Sequence, residues 1–551
     1  MNPIIGRELI GLLRTRRAVA VQGGLALATA ALVLARWPTG GVSDLSGAAA
    51  VQVLRVLGYG LLASVVLVLP AFPATALVRE RVRGTLALLL NTPLTPTAIY
   101  AGKLGGVLGY TAVLLLMTAP AAAACYTLGG SSTGGGVGLL YLAAAAAAVQ
   151  ITALGLYVSG RALSTDAALR ITYAEVLAVC VLPLVVHYLV PRDVPVLASA
   201  ANWVACISPV PAVMEAVGHG GVGIPGTDPP GGVAVRYLIV SLPLSGLLAW
   251  RTVRGLARSP LDRPRPAGVM TQDRTRRERV ARRLFYLIDP QRRTGSTGGL
   301  LHPVMVKEFR TRRFGRSHWT LRLLAGAVVL SLALGCLAAL GALGWGIEVV
   351  GGAMVLLQAA ALLLFAPSLS AGLIAAEREG GGWNLLRMTP MSAASVLVGK
   401  LLAAAWPVVL LYAATLPGYG VMVAVQPESA HPVMRVLVCQ GLTAALAVLI
   451  GAAASSVFRS TAAATAAAYL TLAAVCVAPL LVWLGRDAPF GRSTVQAALT
   501  LDPVAAALSA VGMPGFDGYD LLPANWWVIG GTCVALLALL VARTWRLTRP
   551  D

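Results

Sequence analysis

The run Glu80-Arg81-Val82-Arg83-Gly84-Thr85-Leu86-Ala87-Leu88-Leu89-Leu90-Asn91-Thr92-Pro93 is followed by Gly102-Lys103. At a shift of 297 residues the chain reads Glu377-Arg378-Glu379-Gly380-Gly381-Gly382-Trp383-Asn384-Leu385-Leu386-Arg387-Met388-Thr389-Pro390, followed by Gly399-Lys400. The two blocks align without a gap. Further on, Tyr173, Val179-Cys180-Val181 and Pro183-Leu184 match Tyr469, Val475-Cys476-Val477 and Pro479-Leu480 at a shift of 296. Pro209-Val210 and Ala216-Val217-Gly218 match Pro503-Val504 and Ala510-Val511-Gly512 at 294. Matches that keep their order while drifting by small indels indicate duplication of a whole structural unit.

The surroundings of these blocks set the solvent. With 57% hydrophobic and 12% charged residues, the chain has too little polar surface for water, so its solvent is largely lipid. A bilayer core of roughly 30 Å takes about 20 apolar residues per helix, so 551 residues accommodate about a dozen spans. Apolar length and flanking charge place the first six near 18–36, 52–77, 104–127, 137–160, 169–190 and 233–252, and the second six near 322–345, 350–375, 401–425, 434–457, 462–485 and 524–542. The first run follows Arg14, Arg16 and Arg17, yet reads as a span and not a cleaved signal, because a long multi-span chain follows it. The expected fold is an all-α polytopic membrane protein of about twelve transmembrane helices in two parallel six-helix repeats. Its parts are a first unit at 1–254, a basic linker at 255–300 and a second unit at 301–551.

The net charge of +21 would suggest nucleic acid in a soluble protein, but its placement argues for anionic lipid and against a nucleic-acid partner. With the N-terminus inside, only Arg36, Arg55, Arg192, Arg236, Arg435, Arg486 and Arg492 fall on the outer side. The other basic residues face the cytoplasm, as the positive-inside rule requires. Both termini and the linker are then cytoplasmic, each unit has an even number of spans, and the expected location is a bacterial inner membrane. The linker, with Arg274, Arg276, Arg277, Arg279, Arg282 and Arg283, reads as a segment lying against anionic lipid, with docking of a partner as the other reading.

Two polar features of each unit are candidates for function. Asn2-Pro3 and His302-Pro303 open short mixed stretches that precede the first span of each copy, residue types suited to a helix start. Ile5, Leu9, Leu12 and Leu13 fall on one helical face while Arg7, Glu8 and Arg14 populate others, the pattern of an interfacial helix. Its copy carries Lys307 and Glu308. The loop between spans two and three is patterned where a mere connector would be turn formers. Leu86, Leu89, Leu90 and Pro93 recur at helical spacing, and Thr95 stands as a cap for the helix carrying Gly102-Lys103. A rigid helix joined to two spans transmits a push from a partner that a floppy loop would dissipate.

These blocks resemble the ABC-2 type permease family, the membrane subunits of bacterial ABC exporters, whose usual pattern is close to E-R-E-x-G-T-L-E-x-L-L-x-T-P-x-S followed by G-K. The first copy keeps Glu80, Gly84-Thr85-Leu86, Leu88-Leu89 and Thr92-Pro93 but has Val82 and Ala87 where acids are usual. The second keeps Glu377, Glu379, Gly381, Leu385 and Pro390 but puts Gly382-Trp383-Asn384 where Thr-Leu-Glu is usual. The resemblance covers the topology of nearly the whole chain and about 25 residues per copy in motif. It implies that the helix before the first span and the loop after the second form the docking surface for a nucleotide-binding subunit. It also implies a pair of short re-entrant or outer helices between spans five and six. Independently, 203–217 and 495–511 are apolar but broken by proline and too short to span.

No G-x-x-x-x-G-K-[ST] is present, since Gly102-Lys103 and Gly399-Lys400 are each followed by leucine and lack the upstream glycine loop. The chain is therefore expected to be no enzyme and to hold no cofactor, with ATP and magnesium bound by separate ABC ATPase subunits. One fused chain then supplies the whole membrane part. The seven cysteines and five histidines lie in no metal-ligand or disulfide pattern. Glu175 is the one carboxylate well inside a span, either a functional group or a structural partner of Arg170. A secondary transporter of the major facilitator type also has two parallel six-span halves. Against it stand the patterned loop and the scarcity of intramembrane carboxylates. An apolar wall without convergent polar groups names no substrate.

Overall fold

The computed structural model describes residues 3–14, 16–34, 48–129, 131–162, 164–189, 195–218, 231–258, 302–311, 317–339, 347–484 and 490–548. The basic linker, apart from the end of the preceding helix, and Arg36, Arg192 and Arg486 lie outside the described residues. Among those described, every regular element is helical and none is a strand. Lipid imposes this, because hydrocarbon offers no partner for an open backbone amide or carbonyl, and a helix satisfies them all within itself.

Ten of the described helices are long and apolar enough to cross a membrane, and up to twelve if each of two sharply bent helix pairs counts as one span. The chain is thus a multi-pass membrane protein. At the places expected for the first span of each copy lie helices of nineteen residues, Arg16–Leu34 (α2), and twenty-three, Ser317–Ala339 (α13). The bent pairs fall where broken apolar segments were expected. Val196–Ala205 meets Pro209–Ala216 at 89°, and Arg492–Leu499 meets Pro503–Val511 at 109°, so each first helix begins a few residues earlier than the sequence suggested. At each bend a polar residue and a proline start the second helix. Ser208 accepts from Val210 N ahead of Pro209, and Asp502 accepts from Val504 N ahead of Pro503.

By contacts the chain divides into two units, Met1–Arg263 with Leu480–Val495, and Pro264–Pro479 with Gln496–Asp551. In the first, the helix Ser131–Arg161 (α7) runs through the core. Its Ala143, Ala146, Ala147 and Ala148 are all buried, and side chains this small let neighbouring helices approach closely. In the second, Ala430–Val457 (α18) has the same part, burying Leu446, Ala447, Ala452 and Ala453 against Leu362, Ala366, Ala464 and Ala468.

Residues paired by the sequence repeat make corresponding bonds. Ser159 on α7 accepts from the amides of Leu77 and Val78, and Ser455 on α18 from those of Ile374 and Ala375. Tyr173 donates to Leu67 O at 2.7 Å, and Tyr469 to Leu364 O at 2.6 Å. Arg81 donates to the carbonyls of Gly160 and Ala162 at the end of α7, and Arg378 to Ser456 O at the end of α18. Each bond supplies a polar group that lipid could not, and together they hold the second, fourth and fifth long helices to one another at one end.

Candidate functional site

The patterned loop is built from two short helices with a glycine hinge between them. In the first unit Ala71–Val82 (α4) ends at Arg83, Gly84 turns the chain with φ of 76°, and Thr85–Leu90 (α5) follows. In the second, Ala375–Glu379 (α15) is followed by Gly381 at φ of 74° and then Gly382–Arg387 (α16). A left-handed φ disfavours any residue with a Cβ, which gives both glycines a physical reason. The expected loop helix is therefore split and stops at Leu90. Pro93 and Pro390 lie in the turn beyond, where Thr92 and Thr389 fold back onto the carbonyls of Leu89 and Leu386. Thr95 does cap the next helix, Pro96–Gly129 (α6), by accepting from Ala98 N; Ser392 does the same for Ala393–Val425 (α17) by accepting from Ser395 N.

Beneath each loop lies a cluster of four charges. In the first unit Lys103 on α6 is only 2% exposed, and its Nζ reaches Glu8 at 2.6 Å and Glu80 at 3.1 Å. Arg7 closes the ring on the same carboxylates, at 2.9 Å to Glu8 and 3.0 Å to Glu80. In the second unit Lys400 on α17 is 1% exposed and reaches Glu308 at 2.5 Å and Glu377 at 3.5 Å, while Lys307 meets Glu377 at 2.6 Å. Each cluster joins two cations to two carboxylates. A buried lysine is tolerated only when paired in this way, because desolvating a lone charge costs several kcal/mol. Each cluster also ties together three elements: the short N-terminal helix (α1, Pro3–Leu13, or α12, Pro303–Thr311), the loop after the second long helix, and the start of the third.

The contact of α1 with α6 is close because Gly106 leaves room; a Cβ there would lie 2.6 Å from the Glu8 Cβ. Burial pushes the Glu8 carboxyl upward, but its bonds to Lys103 and Arg7 and their charges outweigh this and hold it below the usual carboxylate range. The hydrogen bond to Glu8, opposed in part by burial, raises Arg7.

Above the charges the loops present apolar tips. Leu88 is 68% exposed and its counterpart Leu385 is 70% exposed, while Leu86 and Trp383, on the opposite face, are buried. Met388 is 81% exposed where the first copy has Asn91, and Pro93 and Pro390 are exposed too.

The two sites are unequally anchored. Glu80 accepts a short bond from Thr85, which closes the first hinge on itself. Glu379 accepts from the amide and hydroxyl of Thr461 at the start of Thr461–Cys476 (α19), both at 2.9 Å, and Trp383 donates to Leu547 O at 3.0 Å near the end of Ala524–Thr548 (α23). The second loop therefore hydrogen-bonds to two further long helices through residues that the first copy replaces with Val82 and Leu86, the latter packed instead among Leu77, Tyr100, Leu156 and Leu256.

Of the candidates named from sequence, Arg7, Glu8 and Glu80 are brought together, as are Lys307, Glu308 and Glu377. Gly84 and Gly381 form the hinges, and Leu88, Leu385, Pro93 and Pro390 the tips. Sequence reasoning noted Lys103 and Lys400 as repeat markers without seeing them as the centres of the clusters. The signal was there: a lysine about two turns inside an apolar helix, with neither an aqueous end nor a neighbour in sequence to pair with. Glu175 is half-buried, and the charge of Arg161, at the end of α7, bears on it. Among the described residues no group of three or more His, Cys, Asp or Glu side chains could hold a metal ion. No protein-family model matches this chain, and no curated protein matches it significantly.

Proposed function

We propose that the chain is the membrane-spanning permease component of an ATP-driven ABC transporter of the ABC-2 type, an exporter energised by separate ATPase subunits. What supports the reading is one arrangement, present twice: an exposed leucine on a short hinged helix, braced from below by a cluster of charges that ties three elements together. An exposed apolar tip suits docking into a partner's groove. The buried charge cluster suits transmission, because it turns the tip, the N-terminal helix and a long membrane helix into one mechanical piece. On this reading ATP and magnesium are bound by the partner, both termini and the linker face the cytoplasm of a bacterial cell, and the two parallel six-helix units of one fused chain make the whole membrane part. The lipid bilayer is the other partner, and no nucleic acid is involved.

The test is co-purification of the chain with an ATPase, followed by hydrolysis assays on the complex. Leu88→Asp and Leu385→Asp should leave the chain folded, because exposed substitutions of this kind change stability by within about 0.5 kcal/mol. Both should weaken the association. Glu80→Gln and Glu377→Gln should keep the association and lower substrate-stimulated hydrolysis. Gradient-driven uptake by the purified chain without any ATPase would instead support a major-facilitator mechanism and end this reading.

A further inference from the structure

The second unit carries a groove between the loop helix α16, the start of α17 and the end of α23. Two cavities form it, one of about 660 Å³ and one of about 450 Å³, which share Ala393, Ala394 and Trp545 in their walls. The larger is almost wholly apolar, lined by residues such as Leu397, Val534, Leu537 and Val541. Its one polar lining residue, Thr544, spends its hydroxyl on Leu540 O. The smaller cavity, at the loop end, is lined by Arg387, Ser392 and Thr548 as well as Trp383 and Trp545.

Length and polarity identify what fits. From Val534 to Trp545 the helix rises about 16 Å, close to half of the roughly 30 Å hydrocarbon core, which is the depth of one leaflet. The groove is thus oily over one leaflet and basic at the surface end, where Ser392, Thr548 and Trp383 bond to the protein itself and Arg387 supplies the charge. Tryptophans sit at that end, as they do at membrane interfaces.

Comparison of the copies isolates the feature. The end of α23, Leu540-Val541-Ala542-Arg543-Thr544, matches Leu248-Ala249-Trp250-Arg251-Thr252, and Thr252 bonds to Leu248 O as Thr544 does to Leu540 O. In this register Trp383, Arg387 and Trp545 replace Leu86, Leu90 and Val253. All three replacements line the groove, and each puts an interfacial or basic residue where the first copy has an aliphatic one.

We infer that this groove is a binding site for one anionic phospholipid of the leaflet at the loop end, with its headgroup at Arg387 and an acyl chain along α23. Such a lipid fills the space between the loop helix and the last long helix, and so makes the second loop's hold on α23 sensitive to membrane composition. The inference does not depend on the ATPase reading.

Native mass spectrometry of the delipidated full-length chain tests it, with palmitoyl-oleoyl phosphatidylglycerol and phosphatidylcholine as separate probes. The expected result is a single retained phosphatidylglycerol, weakened about five- to tenfold by Arg387→Leu, the first-copy residue. The same loss is expected on filling the groove by Ala538→Trp or, from the other wall, Ala394→Leu, whichever keeps the wild-type thermal transition. Arg435→Leu, an equal loss of charge at an exposed site elsewhere, should leave binding unchanged. Equal retention of phosphatidylcholine, an equal loss in Arg435→Leu, or undiminished binding in Arg387→Leu would each overturn the proposal.

Discussion

Replacing Lys400 with Met removes a cation that is 1% exposed and keeps most of its volume. Its closest partner, Glu308 at 2.5 Å, is itself only 3% exposed, so the carboxylate left behind has little water to turn to. Removing one member of a pair buried this deeply costs about 3–5 kcal/mol. Lys103→Met is the internal comparison, because Lys103 is as buried but its partners Glu8 and Glu80 are 24% and 18% exposed and so keep access to water. Its loss should resemble that of charge-assisted hydrogen bonds, about 1.5–3 kcal/mol. Unfolding by SDS titration in mixed micelles, followed by tryptophan fluorescence, should therefore rank Lys400→Met as clearly the more damaging. Adding Glu308→Leu to Lys400→Met should recover much of the loss, since a buried pair replaced on both sides by apolar groups is often near neutral. Recovered stability without recovered ATPase stimulation would then assign the charges to transmission as well as to folding. A Lys400→Met variant within 1 kcal/mol of wild type, or a double-mutant cycle with purely additive effects, would refute the assignment of Lys400 as the centre of a buried network.

Acid titration gives a second check on the first unit. The folded Glu8 lies below the ordinary carboxylate range, so its stabilisation is fully present above that range and is lost as pH falls through the folded pKa. The thermal transition of Glu8→Gln should thus lie below that of wild type at neutral pH and converge with it in strong acid. Gly84→Ala and Gly381→Ala place a Cβ in open space but at φ of 76° and 74°, so the expected loss is conformational, about 1–2 kcal/mol each, read from the same micelle titrations. Asp502 is fully buried, and its second carboxylate oxygen meets no hydrogen-bond partner, whereas its counterpart Ser208 donates to Cys180 O at 2.9 Å. Asp502→Ser keeps a capping oxygen and removes the unsatisfied one, so it should raise the thermal transition, corresponding to about 1–3 kcal/mol.

Much of this organisation was legible in the sequence because lipid leaves few choices. A run of apolar residues long enough to cross a bilayer must be helical, and the runs around Pro209 and Pro503 break where a capping Ser208 or Asp502 precedes the proline, although Pro407 and Pro417 are carried inside a helix. The loop was legible in part: Thr95 follows from the need for a cap, whereas the break at Gly84 and Gly381 was not foreseen, because a glycine in a helical pattern does not announce a left-handed φ. The clusters were half visible. Arg7, Glu8 and Glu80 stood out as charges next to apolar stretches, but the separation of 95 positions from Glu8 to Lys103 hides the pairing, since only the packing of α1 on α6 at Gly106 brings them together. What periodicity could not supply was anchorage. Nothing local announces that Trp383 reaches Leu547 or that Glu379 reaches Thr461, because those bonds depend on where α19 and α23 come to rest.

That anchorage changes the meaning of the divergence between the copies. Read as motif, the first loop is the more complete copy of one half of the pattern and the second of the other half, which suggests two degraded versions of one device. In three dimensions the changes have direction. In the first loop Glu80 turns inward to Thr85, polar bonds reach the N-terminal helix, α6 and the end of α7, and Leu86 holds Leu256 of the unit's last long helix, Gly232–Arg258, by apolar packing alone. Glu379 and Trp383 extend the second loop to α19 and α23, and there Arg387 and Trp545 line the groove assigned to a lipid. A displacement of the Leu385 tip must then break hydrogen bonds to α18, α19 and α23 as well as disturb its charge cluster, whereas the Leu88 tip is held by a partly exposed charge cluster, the end of α7 and apolar packing. Two loops equal in outline thus differ in the kind of hold they have, the second adding directional hydrogen bonds to α19 and α23 where the first relies on apolar packing.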